Sequence, residues 1–150
     1  MTLADSRKGL VAYLYGDATI STLVGGAVAR ADGGDRIFAV KLPQRIKATS
    51  IVYRFISGVG DHHMQGASGL ARPRIQIDCY AASLDDAWTL ANAVKERIDG
   101  FSGSMLWGDN SPEEAIVVQG IFMQNEFEDY DEAAELYRVS RDYFVWFEES

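Results

Sequence analysis

One alternating stretch, from Arg72 to Tyr80, limits what this chain can fold into. Polar residues occupy every second position and mostly apolar residues lie between them: Arg72, Arg74, Gln76, Asp78 and Tyr80 against Pro73, Ile75, Ile77 and Cys79. Successive side chains of a β-strand point to opposite faces of the sheet. The pattern therefore predicts a strand with one buried face and one polar face that needs water or a partner.

Three other segments have the β-branched and aromatic composition of strands, namely residues 50–57, 114–128 and 135–149. The last two could pair as a hairpin with an acidic tip. Residues 26–49 are broken by glycines and Pro43, which indicates an irregular extended stretch that could hold one strand. Residues 60–71 contain three glycines and almost no apolar periodicity, and we expect a long loop there.

Helix signals are clearest after residue 82, where Ser83 can cap a helix, Asp86 completes a capping box and Gly100 can end it. Trp88 lies in the apolar stripe of this helix and is expected in the core. Two short helices are expected before residue 26, the second with Asp17 as its cap. The order of elements predicts one α+β domain over residues 1–150, a mostly antiparallel sheet of about four to five strands covered on one face by helices.

Charge is unevenly distributed along the chain, whose formal net charge is −8. Residues 1–75 hold ten basic and five acidic residues, whereas residues 76–150 hold four basic and seventeen acidic ones. Copies of the chain could therefore meet front to back with complementary potentials. An acidic protein is a poor candidate for nonspecific nucleic-acid binding, and no run of about 18 apolar residues predicts a membrane span.

Few residues suggest chemistry, and we expect no catalytic residues, cofactor or metal. The lone Cys79 is expected to be a small buried hydrophobe. Asp61, His62 and His63 could form a metal site, but a solvated or interface loop is favoured because zinc ligands normally come as a spaced set. The charged residues on the polar strand face fit two interpretations equally: cross-strand ion pairs, or contacts with another subunit.

Three segments carry a resemblance to a known family: IVYRFISG at 51–58, SGLARPRIQIDCYAASLDDAWTLANAVKERIDG at 68–100, and LYRVSRDYFVWF at 136–147. Together they resemble the tail completion or tail terminator proteins of tailed bacteriophages and prophages, including related gene transfer particles. The resemblance implies a structural protein, not an enzyme. It implies a ring, commonly a hexamer, that ends tail tube polymerisation at the head-proximal end of the tail and meets the head connector.

The resemblance also implies partners and a location. The partners would be copies of the chain itself, the tail tube protein and the head–tail connector or stopper protein, with no sequence-specific nucleic acid and no membrane. The protein would assemble in the bacterial host cytoplasm and remain in the virion at the head–tail junction. Two alternatives stay open: a head completion or stopper protein of the neck, and a small metal-dependent hydrolase that uses Asp61, His62 and His63.

Candidate contacts with a neighbouring subunit or partner come from the long loop and from the polar faces of two strands. They are Asp61, His62, His63, Met64, Gln65, Arg72, Arg74, Gln76, Asp78, Arg138 and Asp142.

Overall fold

The computed structural model describes residues 9–14, 16–25, 36–43, 46–57, 60–63, 66–71, 73–106 and 115–148, with the backbone only at 57, 60–63, 66–71, 105–106, 115–116 and 148. These ranges contain three helices: α1 at residues 9–14, α2 at Ala18–Leu23 and α3 at Leu84–Ile98. They contain eight strands: β1 Ile37–Ala39, β2 Ser50–Ser57, β3 Gly60–His63, β4 Gly66–Ala71, β5 Arg74–Ala81, β6 Gly103–Leu106, β7 Ala115–Asp131 and β8 Leu136–Glu148.

The strands form one sheet in which β5 and β8 are central. The order β1-β2-β5-β8 continues through β7 to β6, and every described pair is antiparallel except β1 with β2. The prediction of an α+β fold with a mostly antiparallel sheet is confirmed. The sheet has more strands than the four to five expected, because β1, β3, β4 and β6 are only three to six residues long and have little periodicity to detect.

The loop predicted at residues 60–71 is wrong: this stretch is a β-hairpin. Gly60 faces Ala71 and His63 faces Gly66, so β3 and β4 prolong the antiparallel pair β2–β5. Ala71 also faces Phe147 in the same register that places Arg74 opposite Phe144, so β4 continues the line of β5 along β8. Small residues do not produce an apolar alternation, and backbone pairing alone leaves no signal in the sequence. We call residues 60–63 and 66–71 the β3–β4 arm.

Helices α2 and α3 begin where the sequence indicates, and α3 also ends there. The hydroxyl of Ser83 accepts a hydrogen bond from the backbone N–H of Asp86 at 3.1 Å, and Gly100, with φ of +80°, follows α3. The Asp17 carboxylate accepts from the N–H of Ile20 at 3.3 Å and caps α2. Both predicted caps are confirmed, which fixes the helix positions over the sheet.

The main core lies between one face of the sheet and the helices. Leu14 of α1, Ile20 of α2 and Leu90 of α3 are fully buried against sheet residues such as Ile77 and Tyr143. Cys79 is buried in this core, as predicted, and burial raises the pKa of its thiol. The helix-covered face of the sheet is therefore buried in the core, and the opposite face is available for contacts with other molecules.

The opposite face is covered by the chain itself at one end. Val52, Tyr80 and Leu136 form a second buried cluster there, and Phe38 and Leu42 pack against it. The rest of this surface, which we call the open face, lies on β2, β5, β8 and β7 beyond that cluster.

Candidate interaction surface

A row of charged and polar side chains crosses the open face. The register places Arg54 of β2, Gln76 of β5 and Asp142 of β8 side by side. Asp78 is 0% exposed and accepts hydrogen bonds from Arg54 Nη2 at 3.2 Å and from Gln76 Nε2 at 2.9 Å. Arg74 forms an ion pair with Asp142. These five residues are called the polar network.

The polar network pairs its charges within one chain, and among its buried polar atoms Arg54 Nε and Arg74 Nε have no hydrogen-bond partner in the described residues. Of the two interpretations that the sequence left open, cross-strand ion pairs are therefore present, and a subunit contact would have to use groups that are already paired. The side chains of Arg54 and Arg74 are 38% and 40% exposed, whereas the aspartates beneath them are buried. A partner approaching the open face would thus meet the outer sides of two guanidinium groups, which are good donors to carboxylates and carbonyls.

Arg138, another candidate contact residue, is also bound within the chain. It donates through two nitrogen atoms to the carboxylate of Asp129 on β7, with Nε to Oδ1 at 2.8 Å, and these bonds raise the pKa of Arg138. It also hydrogen-bonds Tyr80, whose pKa is raised chiefly by burial. The guanidinium lies over the ring of Phe127, 5.5 Å from its centre. Arg138 therefore fixes the β7–β8 hairpin and supports an exposed aromatic ring.

Exposed aromatic side chains on β7 are the part of this surface that sequence reasoning missed. Phe122 and Phe127 lie on the open face and are 49% and 45% exposed. Tyr130 and Tyr137 meet edge to face on the other side of the hairpin, with ring centres 5.0 Å apart, and Tyr130 is 48% exposed. Alternation in β7 could have located Phe127, because it lies between the polar residues Asn125 and Asp129 on one face of the strand. Asn125, Phe127 and Asp129 face Asp142, Ser140 and Arg138 of β8, respectively.

Phe144 and Trp146 of β8 lie on the open face and are partly buried. Phe144 lies opposite Phe122, and Trp146 lies opposite Gly120. A methyl group on Gly120 would come within 2.7 Å of the Phe122 ring, so that ring folds back over the glycine beside Trp146. Part of the cover is therefore supplied by β7 itself.

The remaining candidate residues lie on β3 or outside the described residues. Asp61, His62 and His63 lie on β3, where the backbone alone is described, and Met64, Gln65 and Arg72 lie outside the described residues. Among the residues that the structure does describe, no three His, Cys, Asp or Glu side chains are grouped so that they could hold a metal ion. In the same part of the chain, every helix is too short or too polar to span a bilayer.

With the geometry established, comparison with known proteins identifies the family. Residues 8–148 match the family described as tail completion protein gp17. The chain belongs to this family. The resemblance read from the sequence is thereby confirmed, and the chain is a structural component of the virion tail. Membership points to a structural role rather than to catalysis.

The fold is also found in the solved structure of a virion. A chain from the structure titled "Virion of native gene transfer agent (GTA) particle" superposes with a TM-score of 0.68, covering 98% of this chain and 99% of that chain. The two sequences are 16% identical, so this likeness concerns the fold. No curated protein sequence matches the chain.

Proposed function

We propose that the chain forms a hexameric ring at the head-proximal end of the tail, where it ends tail tube polymerisation and joins the tail to the head connector. The observation that carries this proposal is the match of residues 8–148 to the tail completion family. The partners are other copies of the chain, the tail tube protein and the connector or stopper protein of the neck.

A ring requires each copy to carry two different, complementary surfaces. The charge distribution supports this requirement, because the sequence changes from net basic to net acidic near residue 75. The open face supports it as well, since arginine side chains and exposed aromatic rings lie close together there. In this proposal, Arg72, Arg74, Gln76 and Arg138 face a neighbouring subunit or the lumen of the ring. Asp78 and Asp142, expected from the sequence among these contacts, are buried and instead hold Arg54 and Arg74 in position.

The β3–β4 arm supplies the contact with the tail tube protein or with an adjacent copy. Its two strands pair with each other, and β4 reaches β8 only through Leu70 and Ala71. The proposed contact residues are Asp61, His62 and His63 of β3, with Met64 and Gln65, which follow them in the sequence and lie outside the described residues.

An arm-deletion variant tests the proposal and keeps the rest of the sheet. Gly60 faces Ala71, so residues 61–70 can be replaced by the dipeptide Asn-Gly, which favours a two-residue hairpin turn. The pair of Ala71 with Phe147 and the bond from Val145 N to Pro73 O are then kept. We expect this variant to keep a cooperative unfolding transition and to lose either ring formation or tube capping. The full-length variant Glu96→Ala, at an exposed site on α3, is the matched control.

Two measurements decide the outcome. Light scattering and negative-stain images report the ring, and the length distribution of tubes grown from purified tail tube protein reports capping. The unaltered chain and the control should both shorten the tubes. A chain that leaves tube length unchanged and binds only the connector would instead be a head completion or stopper protein, and the proposed function would be wrong.

A further inference from the structure

The outer edge of β7 lacks a strand partner over about half its length. β6 pairs with the first residues of β7 up to Val118, and the turn after α3 covers the next ones: Gly100 N donates to Ile121 O at 2.7 Å and Met123 N donates to Asp99 Oδ1 at 3.0 Å. Within the described residues, no strand lies beyond these on the side of β7 away from β8. Residues 125–131 are called the β7 edge.

The β7 edge carries exposed aromatic rings on both faces. Phe127 points to the open face and Tyr130 to the opposite one, and each is nearly half exposed. Proteins usually protect a long strand edge by covering it or by placing charges on it, because its free N–H and C=O groups pair readily with other chains. An edge with exposed aromatics on both sides is suited to receive a strand.

The charge of the β7 edge selects the kind of strand that it can receive. Residues 125–135 contain six acidic and no basic residues. Bonds within the chain engage five of them: Glu126 with Arg141, Glu128 with Trp88, Asp129 with Arg138, Asp131 with the backbone N–H of Ala134, and Glu135 with Lys47. Two β7 edges meeting about a twofold axis would place acidic side chains opposite one another, which is destabilising. The edge is therefore unsuited to its own copy and suited to a basic strand.

The opposite edge of the same sheet has the complementary charge. β1 is the last strand on that side among the described residues, pairing only with β2. The segment from Arg36 to Ser57 contains five basic and no acidic residues. Three of the basic side chains are bonded within the chain: Arg36 to the carbonyl oxygens of Thr49 and Leu23, Lys47 to Glu135, and Arg54 to Asp78. The Lys41 side chain has no such bond among the described residues, and Arg45 lies outside them. Ala39 at the end of β1 and Lys41 just after it are exposed.

We propose that the β7 edge of one copy pairs with the β1 edge of the next copy, so that the sheet continues from subunit to subunit. This inference rests on the proposed ring, and it identifies the two unlike surfaces that a ring requires. Each copy presents both edges, so the contact is head to tail and can close a circle.

Variants with one added cysteine test which edges of the sheet meet. Phe127→Cys marks the β7 edge and Ala39→Cys marks the β1 edge, and the native Cys79 is buried and serves as the internal control. Each variant is treated with a short bis-maleimide, alone and mixed in equal amounts. We expect a cross-linked dimer at least tenfold more abundant in the mixture than in either variant alone, and a covalent ladder from the double variant. Raising the salt concentration should reduce the yield, since charge complementarity is screened.

The outcomes separate this inference from the proposed function. If light scattering detects rings but Phe127→Cys does not cross-link to Ala39→Cys, the edge pairing is wrong and the proposed ring still stands. A strong cross-link of Phe127→Cys to itself would also overturn it, because the contact would then be twofold. A chain that stays monomeric in the presence of tail tube protein would overturn both.

Discussion

Arg141 of β8 donates a hydrogen bond from Nη1 to the carbonyl oxygen of Ala91 on α3, at 2.8 Å, through the centre of the helix-covered face. The same guanidinium donates to Glu126 Oε2 at 2.8 Å and to Asn92 Oδ1 at 2.9 Å, and it lies 5.2 Å from the centre of the Trp88 ring. A buried charge with this many partners holds helix, hairpin and sheet in one arrangement. The β7 edge is positioned through this contact.

Replacing Arg141 by Ala is expected to lower the free energy of unfolding by about 3 kcal/mol, since three acceptors lose their donor and a cavity remains. Lys should recover only part of this, because a single ammonium group cannot reach acceptors in three directions. Urea denaturation measures both. Glu126→Gln is the control and should cost less than about 1 kcal/mol, because its side chain is 42% exposed and the Gln amide oxygen can still accept the bond from Arg141. Equal losses for Arg141→Ala and Glu126→Gln would contradict this account.

A double-mutant cycle on Arg74 and Asp142 should give a coupling energy of about 1 kcal/mol. The value is modest because Arg74 is 40% exposed, although the aspartate beneath it is buried. Arg74→Glu is a poor probe of assembly, because it would place a second carboxylate beside Asp142 and lower stability. The cycle therefore needs Arg74→Ala, Asp142→Ala and the double variant, each followed by denaturant unfolding. A coupling near zero would mean that the ion pair does not form in solution.

The helices were predictable from the sequence because their signals are local. Ser83 caps the first turn of α3 through the backbone N–H of Asp86, and Gly100 follows its end at positive φ, as their residue types suggest. The β3–β4 arm was not predictable for the opposite reason. Its strands are held by backbone pairing with each other, and β-pairing leaves an apolar pattern only where one face is buried.

The sequence predicts which side chains of the candidate surface share a face of the sheet, but it does not predict which of them form ion pairs. Alternation correctly placed Arg74, Gln76 and Asp78 on one side of β5. Whether these charges remain available to a partner depends on what the neighbouring strands place opposite them, and that register joins residues distant in the sequence, such as Arg74 and Asp142. The exposure of Phe127 likewise depends on β7 being at the edge of the sheet.

Replacing Val40 by Gly is expected to raise the free energy of unfolding by about 0.5–1 kcal/mol, since a branched side chain at positive φ is strained and Gly is not. Val40 has φ of +69° and is more than half exposed, in a tight turn closed by the bond from Lys41 N to Ala39 O at 2.7 Å. Thermal and urea unfolding measure the change. Ala39→Gly, one residue earlier in β1, is the control and should lose stability. A loss in both variants would show that the turn carries no strain.

Alkaline pH is expected to destabilise the fold through three buried groups. Burial raises the pKa of Cys79, Tyr80 and Tyr143 above the values these side chains have in an unfolded chain, which are about 8.5 for Cys and about 10 for Tyr. In each case the folded state keeps the proton longer, so the contribution to stability is complete below the unfolded pKa and is lost as pH rises towards the folded one. The free energy of unfolding, measured with urea between pH 7 and about 11, should at first stay constant and then decline from about pH 8.5. In Cys79→Ala the decline should begin later, near pH 10, where tyrosines ionise in the unfolded chain. An unfolding free energy that stays constant up to pH 11, or a decline that Cys79→Ala leaves unshifted, would contradict the burial of these groups.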